Sequence, residues 1–347
     1  MLIKKIYYIF GLGLACCFAT SFTAGRFKPS TDKVRLSEYA FFKGELKDQL
    51  PADGVVPYEL NMPLFTDYAV KRRFVVLPKG TSADFNPDSV LQFPVGTVLI
   101  KTFCYPIDER KPTLGFRNIE TRLLINDAAK GWTAMTYVWD EAQSDALLEV
   151  AGDSKMVQYV DAAGKKHNFE YFVPNSNQCK GCHNKHERMT PIGPSARQLN
   201  GNLTYNTTVK NQLLHWKEIG LLSNLPDLST VKKAASWSSA DLDAKARTYL
   251  DINCAHCHNK SGPASSSGLF LEYNQQDSTA LGFNKAPVAA GKGSGNLQFD
   301  LLKGKPKSSI LWFRMQSRDP GVMMPELGRT LLHEEGLQLI KEWIAKM

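Results

Sequence analysis

Leu242-Asp243-Ala244-Lys245-Ala246-Arg247-Thr248-Tyr249-Leu250-Asp251-Ile252-Asn253 runs straight into Cys254-Ala255-His256-Cys257-His258. Leu242, Ala246, Tyr249, Leu250 and Asn253 recur at helical spacing, so the first twelve residues read as a helix with one buried face. Ser238 to Asp241, just ahead, has the spacing of a capping box with Asp in place of Glu. The pentapeptide that follows is C-x-x-C-H, the attachment signal of c-type haem. Each thiol adds to one haem vinyl to form a thioether, and the two-residue gap lets one turn reach both vinyls. The adjacent histidine then ligates the iron. Further on, Leu337, Ile340, Trp343 and Ile344 mark a second amphipathic helix near the end of the chain. A helix entering the motif and another closing the segment predict a cytochrome c-like domain over 237–347.

The same pentapeptide occurs once more, as Cys179-Lys180-Gly181-Cys182-His183. A four-cysteine zinc site places its C-x-x-C pairs roughly 15–20 residues apart, whereas 71 residues separate Cys182 from Cys254. A redox dithiol has no use for the trailing histidine. The sequence therefore predicts two haem c groups attached through Cys179, Cys182, Cys254 and Cys257, with His183 and His258 as proximal iron ligands. Ile192-Gly193-Pro194 follows His183 at an interval suited to a backbone carbonyl that accepts its Nδ1–H, or is a simple turn.

Distal ligands are less evenly specified. Pro320-Gly321-Val322-Met323-Met324-Pro325 is a loop between turn signals, and Met324 lies 66 residues after His258. Met324 is the favoured sixth ligand of the second iron, with Met323 as the alternative. For the first iron no comparable loop exists, since no methionine falls between Met189 and Met315. His215 on an expected helix, Met189, and an open position all stay in play.

The N-terminus fits a haem attached after export. Lys4 and Lys5 precede an apolar run from Ile6 to Ala15, and small residues follow. This reads as a secretory signal over 1–25, too short and broken for a firm spanning helix. Gly13-Leu14-Ala15-Cys16 loosely resembles a lipobox, so a lipidated tether, a soluble periplasmic protein and an uncleaved N-terminal anchor are all open. Of seven cysteines, Cys16 and Cys17 lie by the signal, four lie in the motifs, and Cys104 sits in a strand-like stretch. No disulfide framework is implied. The net charge of +8 is modest. No basic run interleaved with aromatics suggests nucleic acid, and the excess suits an acidic redox partner.

Residues 26–173 hold β-like runs between turns: Phe74 to Leu77, Val98 to Ile100, and a hairpin from Glu120 to Ile125 and Trp132 to Trp139. The expected fold is multidomain α+β. An antiparallel β-rich, sandwich- or barrel-like domain over 26–173 precedes a mainly α-helical cytochrome c-like region. That region divides into a first haem segment over 174–236, including a helix from Asn211 to Ile219 stopped by Gly220, and the domain over 237–347. Asp67, Lys71, Arg72, Arg73, Glu120 and Arg122 read as salt-bridged strand faces or as a polar ligand site.

Beyond the motifs, Pro57-Tyr58-Glu59-Leu60-Asn61, Pro63-Leu64-Phe65-Thr66-Asp67-Tyr68-Ala69, Lys71-Arg72-Arg73-Phe74, Phe93-Pro94-Val95-Gly96-Thr97, Lys101-Thr102-Phe103 and Glu120-Thr121-Arg122-Leu123-Leu124 carry a wider likeness. With the two haem signals, the chain resembles a family of exported bacterial dihaem c-type cytochromes, often encoded beside right-handed parallel β-helix proteins. The resemblance implies haem binding and electron transfer and names no substrate. The expected function is an electron relay between periplasmic redox partner proteins. The alternatives are a redox-linked module whose β domain holds a carbohydrate or protein ligand for a neighbouring oxidoreductase, and a dihaem peroxidase-like enzyme.

Overall fold

The computed structural model describes residue 31, residues 33–288 and residues 290–347; the expected signal segment with Cys16 and Cys17 lies outside the described residues. Among the described residues no helix is long and apolar enough to cross a membrane.

The organising element is one antiparallel sheet of six strands: β1 (Val55–Pro57), β2 (Val70–Val76), β3 (Val98–Pro106), β4 (Phe116–Asp127), β5 (Gly131–Trp139) and β6 (Ala146–Leu148). Spatial order follows chain order, so the sheet is a meander. The expected hairpin is β4–β5, in register from Glu120 opposite Val138 to Asp127 opposite Gly131. Two further strands, β7 (Asp153–Val160) and β8 (Lys166–Val173), pair only with each other.

Side chains alternate across the sheet. One face carries Phe74, Val76, Val98, Ile100, Leu123, Ile125, Met135 and Tyr137, packed with Leu36, Tyr39 and Phe41 from the first turn of the described chain. Fully burying each such side chain stabilises the fold by roughly 1.5–3 kcal/mol. The opposite face changes character along the strands. Val75, Leu99 and Leu124 form an apolar end that packs on Leu199, Leu213 and Trp216. Phe103 lies at the other end, against Tyr105, Tyr159 and Tyr171. Between them the registers set Arg73 opposite Lys101, Lys101 opposite Arg122, and Arg122 opposite Thr136.

Six short helices follow: α1 (Ser176–Cys182), α2 (Ala196–Leu199), α3 (Gln212–Glu218), α4 (Leu242–Asn253), α5 (Ile310–Met315) and α6 (Glu334–Lys346). α3 is the helix expected after Asn211, whose side chain caps Leu213 N and Leu214 N, and Gly220 ends it at φ 74°. α4 begins three residues later than the Ser238 capping-box reading. Asp241 is itself the cap, accepting from Ala244 N at 2.9 Å. α4 and α6 pack through Ala246, Tyr249 and Leu250 against Leu337, Ile340 and Ile344. Their crossing requires Gly336, because a Cβ there would overlap the Tyr249 hydroxyl.

The expected fold class is thereby corrected on two points. The N-terminal part is not a sandwich or barrel, since its main sheet is a single open meander. The region after it is not mainly α-helical. The chain is mostly β, with 28% strand against 23% helix. Between α4 and α6, residues 254–333 are loops and single turns apart from the six residues of α5. Periodicity located α4 and α6 but said nothing of the long path between them, whose turns are held by local backbone bonds such as Leu271 N to His258 O at 2.9 Å.

Candidate haem site

Segment 62–68 joins the sheet to the C-terminal helices. Met62 is fully buried in the α4–α6 core. Phe65 N donates to Asn253 Oδ1 at 2.8 Å, and Asp67 Oδ1 accepts Thr330 N and Leu331 N, each at 2.7 Å. Asp67 and Tyr68 hold positive φ angles of 45° and 61°, which turn the chain between the two regions.

Beneath this junction lies one cavity of about 1310 Å³. Both C-x-x-C-H motifs open into it: Cys179, Cys182, His183, Cys254, Cys257 and His258 all line its wall. Single-ligand sites generally span about 300–1,000 Å³, so the space suits more than one group. The polar row of the sheet contributes Lys101, Arg122 and Thr136, and the α5–α6 loop contributes Met323 and Met324.

The motifs are presented differently. α1 is two turns long, and Asn175 begins it with a reciprocal capping box: Asn175 Oδ1 accepts Gln178 N and Gln178 Oε1 accepts Asn175 N, both at 2.9 Å. The Asn175–Gln178 spacing carries this cap without the usual Ser/Thr and Glu of the pattern. Cys254 instead follows the twelve-residue α4, and Cys257 N and His258 N bond back to Cys254 O. Arg197 from α2 pairs with Asp251 at 2.7 Å on the turn before Cys254. Gly262 allows the close return of the chain, since a Cβ there would meet the Cys257 carbonyl.

The two turns touch. Ligand atoms of Cys182, His256 and Cys257 lie within 4.8 Å of one another, and Cys257 Sγ approaches Gly181 O at 3.8 Å. Cys257 and His256 beside it hold the Cys182 thiol well below its usual range, while Cys257 is pushed up in return. Burial raises the other two thiols, Cys254 to about 12. All four are free of disulfides.

His183 is oriented by a hydrogen bond from Nδ1 to the Thr190 carbonyl at 3.0 Å. That acceptor lies two residues before the expected Ile192-Gly193-Pro194, which lines the cavity instead. His258 has Nδ1 3.5 Å from Ser267 Oγ, with the Leu269 backbone also bonded to its ring. Burial keeps both rings neutral, pushing His183 down to about 3, with Lys101 adding to the effect, and His258 down to about 4. A ring with its Nδ1–H engaged on a protein oxygen is the form in which Nε2 binds a metal. Four free thiols, two such rings and a largely apolar wall fit two haem c groups.

Met323 and Met324 both line the cavity. Met324 N donates to Arg314 O at 3.1 Å, and Arg329 Nη2 donates to Met324 O at 3.0 Å, to Ser317 O and to Met315 O. Arg314 is also the charge that acts most on His258, so the loop stands by the second motif. Arg314 and Arg329 as clamps of this loop were not legible in the sequence. His215 and Met189 are not brought to the cavity. His215 stacks on Tyr205, with centroids 3.7 Å apart. Met189 pairs with Asn184 in a two-stranded turn and packs against the Trp216 core. Nearness to His183 in the chain does not say which way the chain turns.

Of the polar cluster expected on the strands, Arg73 pairs with Glu59 at 2.8 Å and Arg122 with the fully buried Glu120. Glu120 also accepts the Tyr171 hydroxyl. Arg72 points to the other face, towards Lys47 O and Asp48 O. Lys101 is pushed down to about 7 by burial and then by Arg122 and Arg73. Cys104 is a buried thiol, raised to about 11 by burial, as its strand position suggested.

No protein-family profile, no curated protein and no solved structure matches this chain.

Proposed function

We propose that the chain is an exported dihaem c-type cytochrome that relays electrons through two haem groups held side by side in one cavity. The meeting of Cys182 and Cys257 carries this reading. Of the four thioethers, those at Cys182 and Cys257 would form where the two turns touch, and those at Cys179 and Cys254 elsewhere on the same cavity wall. A bound haem supplies one-electron exchange at its iron. The protein's own part is to hold that exchange in place. Thr190 and Ser267 orient the imidazoles, the loop clamped by Arg314 and Arg329 holds Met324 where it would ligate an iron bound by His258, and the sheet face forms the cavity floor. The resemblance to exported dihaem cytochromes and the secretory-type N-terminus support the same reading, with periplasmic redox proteins as partners.

Denaturing mass spectrometry and a pyridine haemochrome assay on protein matured with its signal test the proposal. The expected result is two covalent haems per chain and two reduction waves in a potentiometric titration. A chain matured under these conditions with no covalent haem would overturn it.

A second reading has its own observation. Cys182, His256 and Cys257 converge as a thiolate–imidazole–thiolate group, a donor set that suits Zn²⁺ with a fourth position open. Haem attachment would consume both thiols. Stoichiometric zinc with four alkylatable cysteines in the motifs would favour this reading over haem.

A further inference from the structure

The floor of the cavity contains a cation without a partner. Lys101 sits at the centre of the row Arg73–Lys101–Arg122–Thr136 that crosses β2 to β5. Both neighbouring guanidinium groups have carboxylates, Glu59 and Glu120. Among the described residues the Lys101 amine has no hydrogen bond and no salt bridge. Its described partner is the Phe103 ring, 5.1 Å from Nζ. An ammonium placed beside two other cations in a desolvated site is costly, so the position favours a use for the amine's lone pair.

Lys101 lines the same cavity as His183. Three other donors of the cavity, His333, Met324 and His256, are engaged or placed elsewhere. His333 receives the Tyr249 hydroxyl at 3.1 Å on Nδ1 and faces Glu335 with Nε2. Met324 is held by Arg314 next to His258. His256 lies against Cys182 and Cys257 sulfur, at the porphyrin edge where thioethers form rather than over the iron.

We propose that Lys101 is the sixth ligand of the iron held by Cys179, Cys182 and His183. This rests on the dihaem reading above. Ligation uses the Nζ lone pair, so one proton leaves to solvent and no electron is transferred. The first site then has nitrogen on both axes, whereas the second has nitrogen and sulfur, and the weaker donation of a thioether gives the second site the higher potential.

The test compares the matured holoprotein with Lys101→Ala and Lys101→Met, reading haem content, ferric electron paramagnetic resonance and CO binding to the ferrous form. Wild type is expected to hold two haems, both low-spin and both closed to CO. In Lys101→Ala with two haems retained, half of the haem becomes high-spin and binds CO, and added imidazole restores the low-spin signal. Should the alanine variant fail to mature, Lys101→Met preserves the side-chain volume. It is expected to replace the amine-type near-infrared band of one haem by a thioether-type band, or to open that haem to CO. Two low-spin, CO-closed haems with an unchanged near-infrared spectrum in whichever variant matures would overturn the assignment, as would CO binding to half of the wild-type haem. Wild type without covalent haem would instead overturn the underlying dihaem reading.

Discussion

The two C-x-x-C-H turns are identical as patterns and are supported by different physics. The second hangs from a twelve-residue helix whose inner face is fixed by α6, the Arg197–Asp251 pair and the Gly336–Tyr249 crossing. The first sits on a two-turn helix that would be marginal alone; a capping box and the sheet behind it hold it in place. Helix-on-helix packing serves one motif and helix-on-sheet packing the other, and both deliver a histidine to the same space. A short attachment signal therefore does not bring its own domain with it. Whatever surface is at hand can position it.

The sharpest way to break the comparison is to delete one motif at a time. Cys179→Ser with Cys182→Ser is expected to halve haem content and to shift the potential of the remaining haem, because the two turns share a wall; an unshifted potential would mean two independent sites. Next in size is Glu120→Gln. It leaves Arg122 without its counter-charge in a buried site, and urea unfolding should fall by about 3–5 kcal/mol, with the loss felt at the first motif. A change below about 1 kcal/mol would show that the sheet floor is not what supports that motif.

The fold should lose stability in acid, and His333 beside the second motif is one source. His333 stacks on Phe65 with centroids 4.1 Å apart, and burial first, then Lys71, holds it down to about 4. The unfolded chain protonates this histidine below about pH 6.5, and the folded chain resists until about pH 4. Stability is thus full above about pH 6.5 and falls on acidification through that window, by up to about 1.4 kcal/mol per pH unit. The gap between urea midpoints at pH 7 and pH 5 should narrow in His333→Phe, which keeps the ring stack, the remainder coming from His183 and His258. An identical pH dependence in variant and wild type would count against this origin.

The smallest expected effect separates two glycines. Gly181→Ala meets only the flexible end of Leu327 at 3.3 Å and gains helix propensity, so its melting temperature should stay within a few degrees of wild type. Gly336→Ala, which must displace Tyr249, should cost about 1–3 kcal/mol. Equal effects would remove the distinction between the loosely and tightly packed motifs.

Much of the site could be read from the chain because its signals are local. The thiols and histidines of each motif lie within five residues, Met324 lies in a loop bounded by its own turn residues, and β4–β5 is a hairpin of adjacent strands. Two expectations failed where the signal is not local. Alternation along β3 and β4 announces two faces but not what covers the second, so a sandwich was expected where the second face carries a cavity floor. His215 and Met189 follow His183 in the chain but lie outside the cavity, while Lys101, 82 residues earlier, lines it through the sheet.

The sequence by itself determined the two C-x-x-C-H patterns, with their four thiols and two histidines, and the α4, α6 and β4–β5 elements, all set by contacts between near neighbours. Only the tertiary structure decided that the two motifs share one cavity, that Cys182 meets Cys257, and that Lys101 lines the same cavity as His183. Those pairings join residues about 70 or more positions apart. They follow from how sheet, loops and helices bury their apolar faces against one another, which no local pattern encodes.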